Sequence, residues 1–454
     1  MRRILLLLAL AFSLSLQAQN AGLDRRFGAN GLVSLREPTA SNARNLGMAA
    51  CAMPGGRLNV VSATAADQLA VFRLKEDGSL DTSFSGDGIA TIGVPASSDE
   101  TVQGACMGDG RIVLSRMAPG SGADKNIQLI RLDPDGTLDT SFGVGGTRTI
   151  DLDAYEVGLG DSEYPLSLNL IAGNDILVST RTFLSNGESR PGLIRVDVNG
   201  NIQFARLVTV SGATPNYATG AGIGNNGRIW LVGGGNPNGT PYNSWFRVEL
   251  DAATGATLAS FVGTDGNYIV DGGRMLANGI MVAVGKYVPQ AEPGGAYRPR
   301  LLVFRDSGTT AVALPALNAV NNSDPTLTPY PGRATAIPTS DGRVLVMAPM
   351  GGQNQEWEIA TYVAQVELGA TAAEDRVDPR FGNHGAIQFF FPGSVTPTCA
   401  NGSPPLQRMV RASNWNNRPV LVGIHAATCA LNPRNTMVAR LLSRDEVFFD
   451  SYEP

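Results

Sequence analysis

The chain repeats the phrase Leu138-Asp139-Thr140-Ser141-Phe142-Gly143, in which an aliphatic residue, an aspartate and a phenylalanine keep a fixed spacing. The other three copies are Leu23-Asp24-Arg25-Arg26-Phe27-Gly28, Leu80-Asp81-Thr82-Ser83-Phe84-Ser85 and Val377-Asp378-Pro379-Arg380-Phe381-Gly382. The aspartates stand at positions 24, 81, 139 and 378, at intervals of 57, 58 and 239 residues, and the last interval is about four times the first. A period in this range is typical of repeat architectures.

Each complete copy contains four short apolar stretches separated by glycine-rich turns. In the first copy these stretches are 46–52, 58–61, 69–74 and 89–94. Degenerate copies that keep the second and third stretches continue to the end of the chain and bring the total to seven. Helical periodicity is absent after the N-terminal segment. The pattern predicts an all-β fold, a seven-bladed β-propeller of four-stranded antiparallel blades.

The two ends of the chain complement each other. The last copy stops near Glu446 without a fourth strand, whereas the chain begins with an unattached phrase and the apolar stretch 32–35. An unpaired strand edge invites aggregation. We therefore expect the N-terminal strand to complete the last blade and close the ring.

The N-terminal segment has the features of a secretory signal. Arg2 and Arg3 precede an apolar run at 4–16, and Gln17-Ala18 resembles a cleavage site. We predict a signal peptide at 1–18 and a single propeller domain at 19–454, in a bacterial protein that is secreted or periplasmic. No later stretch approaches the roughly 20 apolar residues of a membrane helix, so no membrane span is expected.

The charge pattern argues against nucleic acid as a partner. Charged residues make up 17% of the chain, the net charge is −5, and there is no basic run. Binding to phosphate backbones needs clustered Lys and Arg. We expect a monomer that binds a polysaccharide or an envelope or extracellular protein.

The repeated phrase, together with the Asp-Gly turn before it, resembles the delta-60 repeat family of bacterial exported propellers, whose copies read roughly DG-x-LD-x-x-FG-x-x-G. The resemblance is strongest at 68–150 and 374–391 and weak at 190–340. It implies a propeller fold and an exported protein. It implies no catalytic residues, because the family is not associated with a defined chemistry.

The repeated polar residues have a structural interpretation and a functional one. The aspartates of the phrase could bind metal, but a carboxylate before two turn residues is well suited to accept their backbone N–H groups, and we favour this capping role. Arginine also ends the third strand in six copies, which suggests either an anion channel or, as we favour, ties to neighbouring carbonyls and aspartates. The six are Arg73, Arg131, Arg195, Arg247, Arg305 and Arg440.

Acidic residues crowd the link between the second and third copies, where hard-cation binding would find its oxygen ligands. The candidate metal ligands, with calcium as the ion, are Asp151, Asp153, Glu156 and Asp161, and Glu163 follows them. A solvated acidic loop is the favoured alternative. No other cofactor is predicted.

The four cysteines suggest two disulfides in an exported protein. Cys399 and Cys429 fall in two loops that strand parity places on one face of the last blade. Cys51 and Cys106 end the first strands of adjacent blades, where the narrow centre of the ring brings neighbours close. We predict the pairs Cys399–Cys429 and Cys51–Cys106.

The longest loops between second and third strands lie in and just beyond the copies that have lost the phrase. They share one face by strand parity, and flat aromatic rings beside amides suit contacts with a carbohydrate or a peptide. The candidate ligand-binding residues are Tyr242, Asn243, Trp245, Tyr287, Tyr297 and Trp357. The alternative is that some of these aromatic residues only pack at strand starts.

The sequence favours a non-enzymatic function. His384 and His425 are the chain's two histidines, and no nucleophile, histidine and acid arrangement can be recognised around them. We expect a binding protein that uses one loop face. The alternatives are a hydrolase or lyase that acts on a polysaccharide through carboxylates in the central funnel, and a module of a surface assembly without a small ligand.

Overall fold

The structure is a computed structural model that describes residues 23–38, 46–53, 55–65, 67–96, 101–122, 124–155, 162–237, 243–263, 267–288, 298–315, 326–327, 334–339, 341–351, 358–382, 384–389, 407–415, 418–426 and 434–442. These residues form seven antiparallel sheets. Short 3-10 helices occur at Leu152–Ala154, Ala172–Asn174 and Ala372–Glu374. None of the helices in the described ranges is long and apolar enough to cross a membrane.

The chain begins with strand β1 (Leu32–Leu35), which belongs to the last sheet. Blade 1 contains β2 (Leu46–Met53), β3 (Arg57–Ala65), β4 (Gln68–Leu74) and β5 (Ile89–Gly93). Blade 2 contains β6 (Gln103–Cys106), β7 (Ile112–Pro119), β8 (Lys125–Leu132) and β9 (Thr147–Ile150). Blade 3 contains β10 (Glu163–Leu170), β11 (Ile176–Phe183), β12 (Ser189–Val196) and β13 (Ile202–Leu207).

Blade 4 contains β14 (Ala213–Ile223), β15 (Ile229–Pro237), β16 (Ser244–Leu250) and β17 (Thr257–Val262). Blade 5 contains β18 (Asn267–Met275), β19 (Met281–Val288), β20 (Arg298–Arg305) and β21 (Gly308–Ala313). Blade 6 has interrupted edge strands, with β22 (Thr326–Leu327), β23 (Thr335–Pro338), β24 (Arg343–Gly351), β25 (Glu358–Glu367), β26 (Arg376–Val377) and β27 (Ala386–Phe389). Blade 7 contains β28 (Gln407–Trp415), β29 (Arg418–Ala426) and β30 (Arg434–Arg440).

The first strands of successive blades contact one another around a complete circle. Strand β2 contacts β6, β6 contacts β10, β10 contacts β14, β14 contacts β18, β18 contacts β23, and β23 contacts β28. Strand β28 then returns to β2. The prediction of a closed seven-bladed propeller is confirmed.

The N-terminal strand completes the last blade. Strand β1 pairs antiparallel with β30, with Leu32 opposite Ala439 and Leu35 opposite Thr436. The sheet order is β1, β30, β29, β28, so the N-terminal strand is its outermost member. The prediction that the N-terminal strand closes the ring is therefore confirmed.

Apolar faces of neighbouring blades form the core. Phe142 of blade 2 is fully buried in a cluster that contains Ile176 and Val196 of blade 3. Burying side chains of this size contributes about 1.5–3 kcal/mol each. Because every blade has a neighbour on both sides, the ring leaves neither sheet face of a blade facing solvent.

The repeated aspartate caps its turn, as the sequence predicts. The Asp139 carboxylate accepts hydrogen bonds from the Ser141 backbone N–H at 3.1 Å and from its hydroxyl at 2.5 Å. The Phe142 N–H donates to the Asp139 carbonyl at 3.0 Å. This turn directs the phenylalanine ring into the space between two blades.

The arginines that end the third strands join each blade to the next. Arg131 donates from Nε to the Asp139 carboxylate at 2.6 Å and from Nη1 to the carbonyl of Val198, which lies in a turn of blade 3. The same contact recurs from Arg73 to Pro134, Arg195 to Ala252, Arg247 to Arg305, Arg305 to Gly369 and Arg440 to Glu76. The structural interpretation of these arginines is confirmed.

Turn glycines complete this interface between blades. The φ angle of Gly78 is +87°, and a Cβ there would lie 2.9 Å from the Phe27 ring of the preceding blade. Gly136 has the same relationship to Phe84, at 2.7 Å. The Asp-Gly turn and the phenylalanine therefore recur together because they pack on each other across the gap.

Candidate functional site

The propeller has two faces. The turns that join first to second and third to fourth strands lie on one face, which we name the turn face. The connections between second and third strands, and those between blades, lie on the opposite face, which we name the loop face. Because neighbouring strands are antiparallel in every sheet, this division holds for all seven blades.

A central channel runs between the first strands and widens toward the turn face. Its mouth is a cavity of about 600 Å³ lined by residues near the ends of the first strands of all seven blades. A narrower cavity of about 100 Å³ continues from it toward the middle of the ring. A volume of 300–1,000 Å³ is typical of small-molecule sites.

One charged side chain stands out in this channel. Arg274 lines both cavities, and it is the single charged residue among the described residues that line them. Around it lie small or neutral residues. Those with polar side chains are Gln103, Ser167, Asn169, Thr219, Thr335, Ser413 and Asn414. The described lining therefore presents one cation, several hydrogen-bonding groups and no carboxylate.

A β-bulge positions Arg274. The pairing of β18 with β19 shifts register between Asp271 and Arg274, so Gly272 and Gly273 together lie opposite the single residue Ala283 and β18 contains one extra residue. Gly272 has a φ of +52°, and a Cβ there would lie 2.4 Å from the carbonyl oxygen of Ala334. Bulges of this kind re-aim a side chain. The two glycines are therefore required for the conformation that places Arg274 in the channel.

Asp271 is the acidic residue nearest to Arg274 in the sequence, and it has another partner. Asp271 forms an ion pair with Lys286 at 2.7 Å, and both side chains are fully buried. The guanidinium of Arg274 has no hydrogen bond or ion pair with any residue that the structure describes. Arg274 is exposed to the solvent of the channel, and partial desolvation by the protein atoms that line the channel around it lowers its pKa. Arginine nevertheless stays charged at neutral pH.

Two further polar atoms of the channel lack partners within the described ranges. They are Oγ1 of Thr219 and Oδ1 of Asn414. The Asn414 amide nitrogen donates to the Pro338 carbonyl at 3.0 Å, which fixes its oxygen as the remaining acceptor. Buried polar atoms without partners cost free energy, so a ligand that satisfies them gains affinity.

A disulfide lies at the rim of this mouth. Cys51 and Cys106 are bonded, with a Cα–Cα distance of 5.5 Å, and both line the wider cavity. The sulfur of Cys106 also accepts a hydrogen bond from the Asn59 amide at 3.2 Å. The bond joins the first strands of blades 1 and 2, as predicted. Cys399 and Cys429 lie outside the described residues.

Three of the predicted ligand-binding residues are described, and they lie together at the junction of blades 4 and 5. The Asn243 carbonyl accepts the N–H of Tyr268 at 2.9 Å, and the Tyr268 ring lies 4.8 Å from that of Tyr287. Trp245 meets Phe304 edge to face at 5.5 Å. Tyr242, Tyr297 and Trp357 lie outside the described residues.

These aromatic side chains also support the fold. Trp245 and Tyr287 are partly buried against the hydrophobic cluster between the blades. Arg300 stacks on the Tyr287 ring with 4.0 Å between guanidinium carbon and ring centroid. The Asn243 side chain accepts from Asn216 at 3.1 Å. The group presents amides and ring edges on the loop face, opposite to the mouth of the channel.

Two of the predicted metal ligands approach each other closely. Carboxylate oxygens of Asp151 and Asp153 lie within 4.8 Å of each other and of an oxygen of Asp124, from blade 2. Glu163 is buried beside them and accepts the Leu152 N–H at 3.2 Å. We name the acidic site by its four carboxylates, Asp124, Asp151, Asp153 and Glu163. Glu156 and Asp161 lie outside the described residues.

Ionisation of Glu163 is disfavoured in the acidic site. Burial raises the pKa of Glu163 to about 9, and the neighbouring carboxylates act in the same direction. The backbone hydrogen bond from Leu152 opposes them. Carboxylates held so close in a partly desolvated place repel one another unless a proton or a cation reduces their charge.

Sequence reasoning missed Arg274 and Asp124. A Gly-Gly pair directly before an arginine in a first strand was the available signal for Arg274. Asp124 gave no such signal, because its proximity to Asp151 depends on how the loop after β7 folds over the link to blade 3.

Comparison with known proteins identifies a propeller repeat. The family model described as "Domain of unknown function (DUF5122) beta-propeller" matches residues 56–84 and 121–142. These segments include the turns and the repeated phrase of blades 1 and 2. No curated protein matches significantly.

Several solved structures resemble the chain at low identity. Hydrazine synthase of Kuenenia stuttgartiensis has 12% identity and a TM-score of 0.42, with 72% of this chain and 77% of that chain covered. A protein of unknown function from Dyadobacter fermentans has 12% identity and a TM-score of 0.45, with 90% and 99% covered. An ulvan lyase, from a polysaccharide lyase family, has 10% identity and a TM-score of 0.43, with 92% and 99% covered.

Likenesses at this level carry no information about function. The fold, by contrast, follows from the chain's own sheets and from the matched segments. The chain is a seven-bladed β-propeller repeat protein, and parts of its first two blades are similar to the DUF5122 propeller family.

Proposed function

We propose that this protein is an exported, non-enzymatic binding protein that holds an acidic sugar in the mouth of its central channel. The observation that carries the proposal is Arg274. Its guanidinium lies in a cavity of about 600 Å³ and pairs with no carboxylate among the described residues. A guanidinium fork matches a carboxylate in two parallel hydrogen bonds. An anionic ligand would supply this missing partner.

The hydroxyl groups of a sugar acid suit the other unpartnered atoms. The amide oxygen of Asn414 can accept from a ligand hydroxyl, and the Thr219 hydroxyl can donate or accept. Small side chains such as Ala50 and Gly104 leave room for a ring between them. A uronic acid, free or at the end of a glycan, combines these features in one ligand class.

The geometry favours binding over catalysis. Glycoside hydrolysis through two carboxylates requires a pair of acids that flank the scissile bond. The described lining of the channel contains no such pair. The alternative of a hydrolase or lyase with funnel carboxylates therefore lacks support from these residues.

Export agrees with the presence of a disulfide, since disulfides persist in oxidising compartments. The predicted signal segment 1–18 and the resemblance to the delta-60 repeat family support the same localisation. Secretion or periplasmic targeting is tested by sequencing the N-terminus of the native mature protein. The proposal expects a chain that starts after Ala18.

The ligand proposal is tested by calorimetric titration with glucuronate and galacturonate, with glucose as the matched neutral sugar. We expect at least one acid to bind and glucose not to bind. The variant Arg274→Gln should bind at least tenfold more weakly, because a charge-assisted hydrogen bond is worth about 1.5–3 kcal/mol. Arg190→Gln, which changes an exposed arginine in blade 3, is the control. Equal affinity of the wild type and Arg274→Gln would refute the proposal, as would binding of neither acid.

The loop face supports a second candidate function, contact with a glycan or protein partner. The supporting observation is the grouping of Asn243, Trp245 and Tyr287 at the junction of blades 4 and 5. Replacing Tyr242 and Tyr287 together with alanine should weaken binding to a panel of glycans and envelope proteins. Unchanged binding would remove this candidate.

A further inference from the structure

The acidic site lies at the junction of blades 2 and 3, away from the channel. Asp124 precedes strand β8, Asp151 and Asp153 surround the start of a 3-10 helix, and Glu163 begins strand β10. Three of the four carboxylates are partly exposed to solvent, whereas Glu163 is fully buried. The three aspartate carboxylates therefore meet from separate elements, and Glu163 lies beneath the surface beside them, tied to the Leu152 N–H.

The three aspartate oxygens are close enough together to coordinate one cation. Oxygens of Asp124, Asp151 and Asp153 lie within 4.8 Å of one another. Two oxygens on opposite sides of an ion, each about 2.4 Å from it, are about 4.8 Å apart. A cation at their centre would thus contact all three carboxylates without a large movement.

Glu163 provides an independent indication of a missing ligand. One carboxylate oxygen accepts the N–H of Leu152, the residue between the two aspartates, at 3.2 Å. This hydrogen bond holds the carboxyl group beneath the aspartates. The second oxygen is buried and has no hydrogen-bond partner among the described residues. A fully buried carboxylate oxygen in this state requires a cation or a proton.

The side-chain amide oxygen of Asn126 lies close to the Asp124 carboxylate of the acidic site. Oδ1 of Asn126 is buried and lacks a hydrogen-bond partner within the described ranges. A Cβ on Gly120 would lie 2.9 Å from this atom and 2.7 Å from Oδ2 of Asp124. The two oxygens therefore face a space that exists because residue 120 is glycine.

We infer that the acidic site binds one calcium ion, which ties the loop before β8 to the link that enters blade 3. The donors are all oxygens, which excludes the sulfur and imidazole ligands typical of zinc sites. Calcium takes six to eight such oxygens in flexible geometry, whereas magnesium keeps several of its waters. A cage built from several protein oxygens accordingly favours calcium. This inference does not depend on the proposed sugar site.

The direct test is calorimetric titration of CaCl₂ into the full-length protein after dialysis against a chelator, with MgCl₂ titrated separately. We expect one calcium per chain and a higher melting temperature when calcium is present. Glu163→Gln keeps the shape of the side chain and should weaken binding at least tenfold. Asp135→Asn, at an exposed turn of blade 2, is the matched control and should bind like the wild type.

A second pair of variants changes no charge. Gly120→Ala should weaken calcium binding because the new methyl group meets the oxygens of Asp124 and Asn126. Gly108→Ala, where a Cβ meets nothing within 4 Å, should leave it unchanged. The inference is overturned if millimolar CaCl₂ does not bind to the wild type. Equal calcium affinity of Glu163→Gln and Asp135→Asn would overturn it as well.

Discussion

The guanidinium of Arg440 donates a hydrogen bond to the carbonyl oxygen of Glu76, a residue 364 positions earlier in the chain. Arg440 ends the third strand of the last blade, and Glu76 lies in a turn of the first. Nη2 of Arg440 also forms an ion pair with Asp24 of the N-terminal phrase, at 2.8 Å. The ring is therefore closed by the same arginine contact that joins other blades to their neighbours.

Removing one of these arginines should destabilise the ring. Arg131 is 1% exposed and pairs with the buried Asp139. Arg131→Leu should lower the free energy of unfolding by about 1.5–3 kcal/mol, because it removes a buried charge-assisted hydrogen bond, while Asp139 keeps its contacts with Arg111 and Ser141. Arg190→Leu, at an exposed position on a third strand, should change it little. Denaturant unfolding measures both, and equal melting of Arg131→Leu and the wild type would contradict the structural role.

Alanine variants at two glycines distinguish the effect of packing between blades from the effect of backbone strain. Gly78 and Gly86 both have a φ of +87°, but a Cβ on Gly78 would contact Phe27 and Val33, whereas a Cβ on Gly86 would meet nothing within 4 Å. Both alanine variants carry the same strain at positive φ. Gly78→Ala should cost about 1–3 kcal/mol more, the usual penalty of overpacking. Equal thermal stability of the two variants would show that the turn does not pack on the preceding blade.

The capping aspartates should make stability fall in acid. Burial acts to raise the pKa of Asp139, but hydrogen bonds from Ser141 and Arg131 outweigh it and lower the pKa to about 2. Because the folded pKa lies below the unfolded value of about 3.9, the stabilisation is complete above about pH 4. It is lost as the pH falls through 2.

Calorimetry of the wild type and Asp139→Asn between pH 7 and pH 2 checks this prediction. The variant should melt lower at pH 7, and the difference between the two proteins should shrink toward pH 2. A difference that stays constant with pH would mean that ionisation of Asp139 does not stabilise the fold.

The disulfide should contribute to stability by linking two blades. Cys51 and Cys106 are 55 residues apart, and a bond that closes a loop of this order typically stabilises by about 2–4 kcal/mol. The double variant Cys51→Ala and Cys106→Ala should therefore melt below the wild type. Adding reductant should lower the melting temperature of the wild type toward that of the variant. Identical melting of both proteins under oxidising conditions would contradict this.

The fold could be predicted from the sequence because its determinants are local and repeated. Asp139 caps a turn that lies within its own phrase, and the glycine of an Asp-Gly turn packs on a phenylalanine one period away. Such contacts recur in the copies that keep the phrase, so they produce a periodic pattern in the sequence. The interrupted edge strands of blade 6 left no such pattern and were not predicted.

The candidate sites were harder to predict because they break the period. Arg274 reaches the channel through a bulge at Gly272, which occurs in one blade and depends on the close approach of Ala334. Asp124 joins Asp151 through the path of a loop rather than through sequence spacing. The acidic residues of the link were recognisable by their density alone, which gave the location but not the full set of carboxylates.

The most direct test of the account is a crystal structure of the protein grown with a saturating concentration of the sugar acid that binds in solution. The account predicts density for the ligand in the mouth of the channel, with its carboxylate in a two-pronged contact with the guanidinium of Arg274. A ligand bound elsewhere, or a carboxylate of the protein itself paired with Arg274, would contradict it.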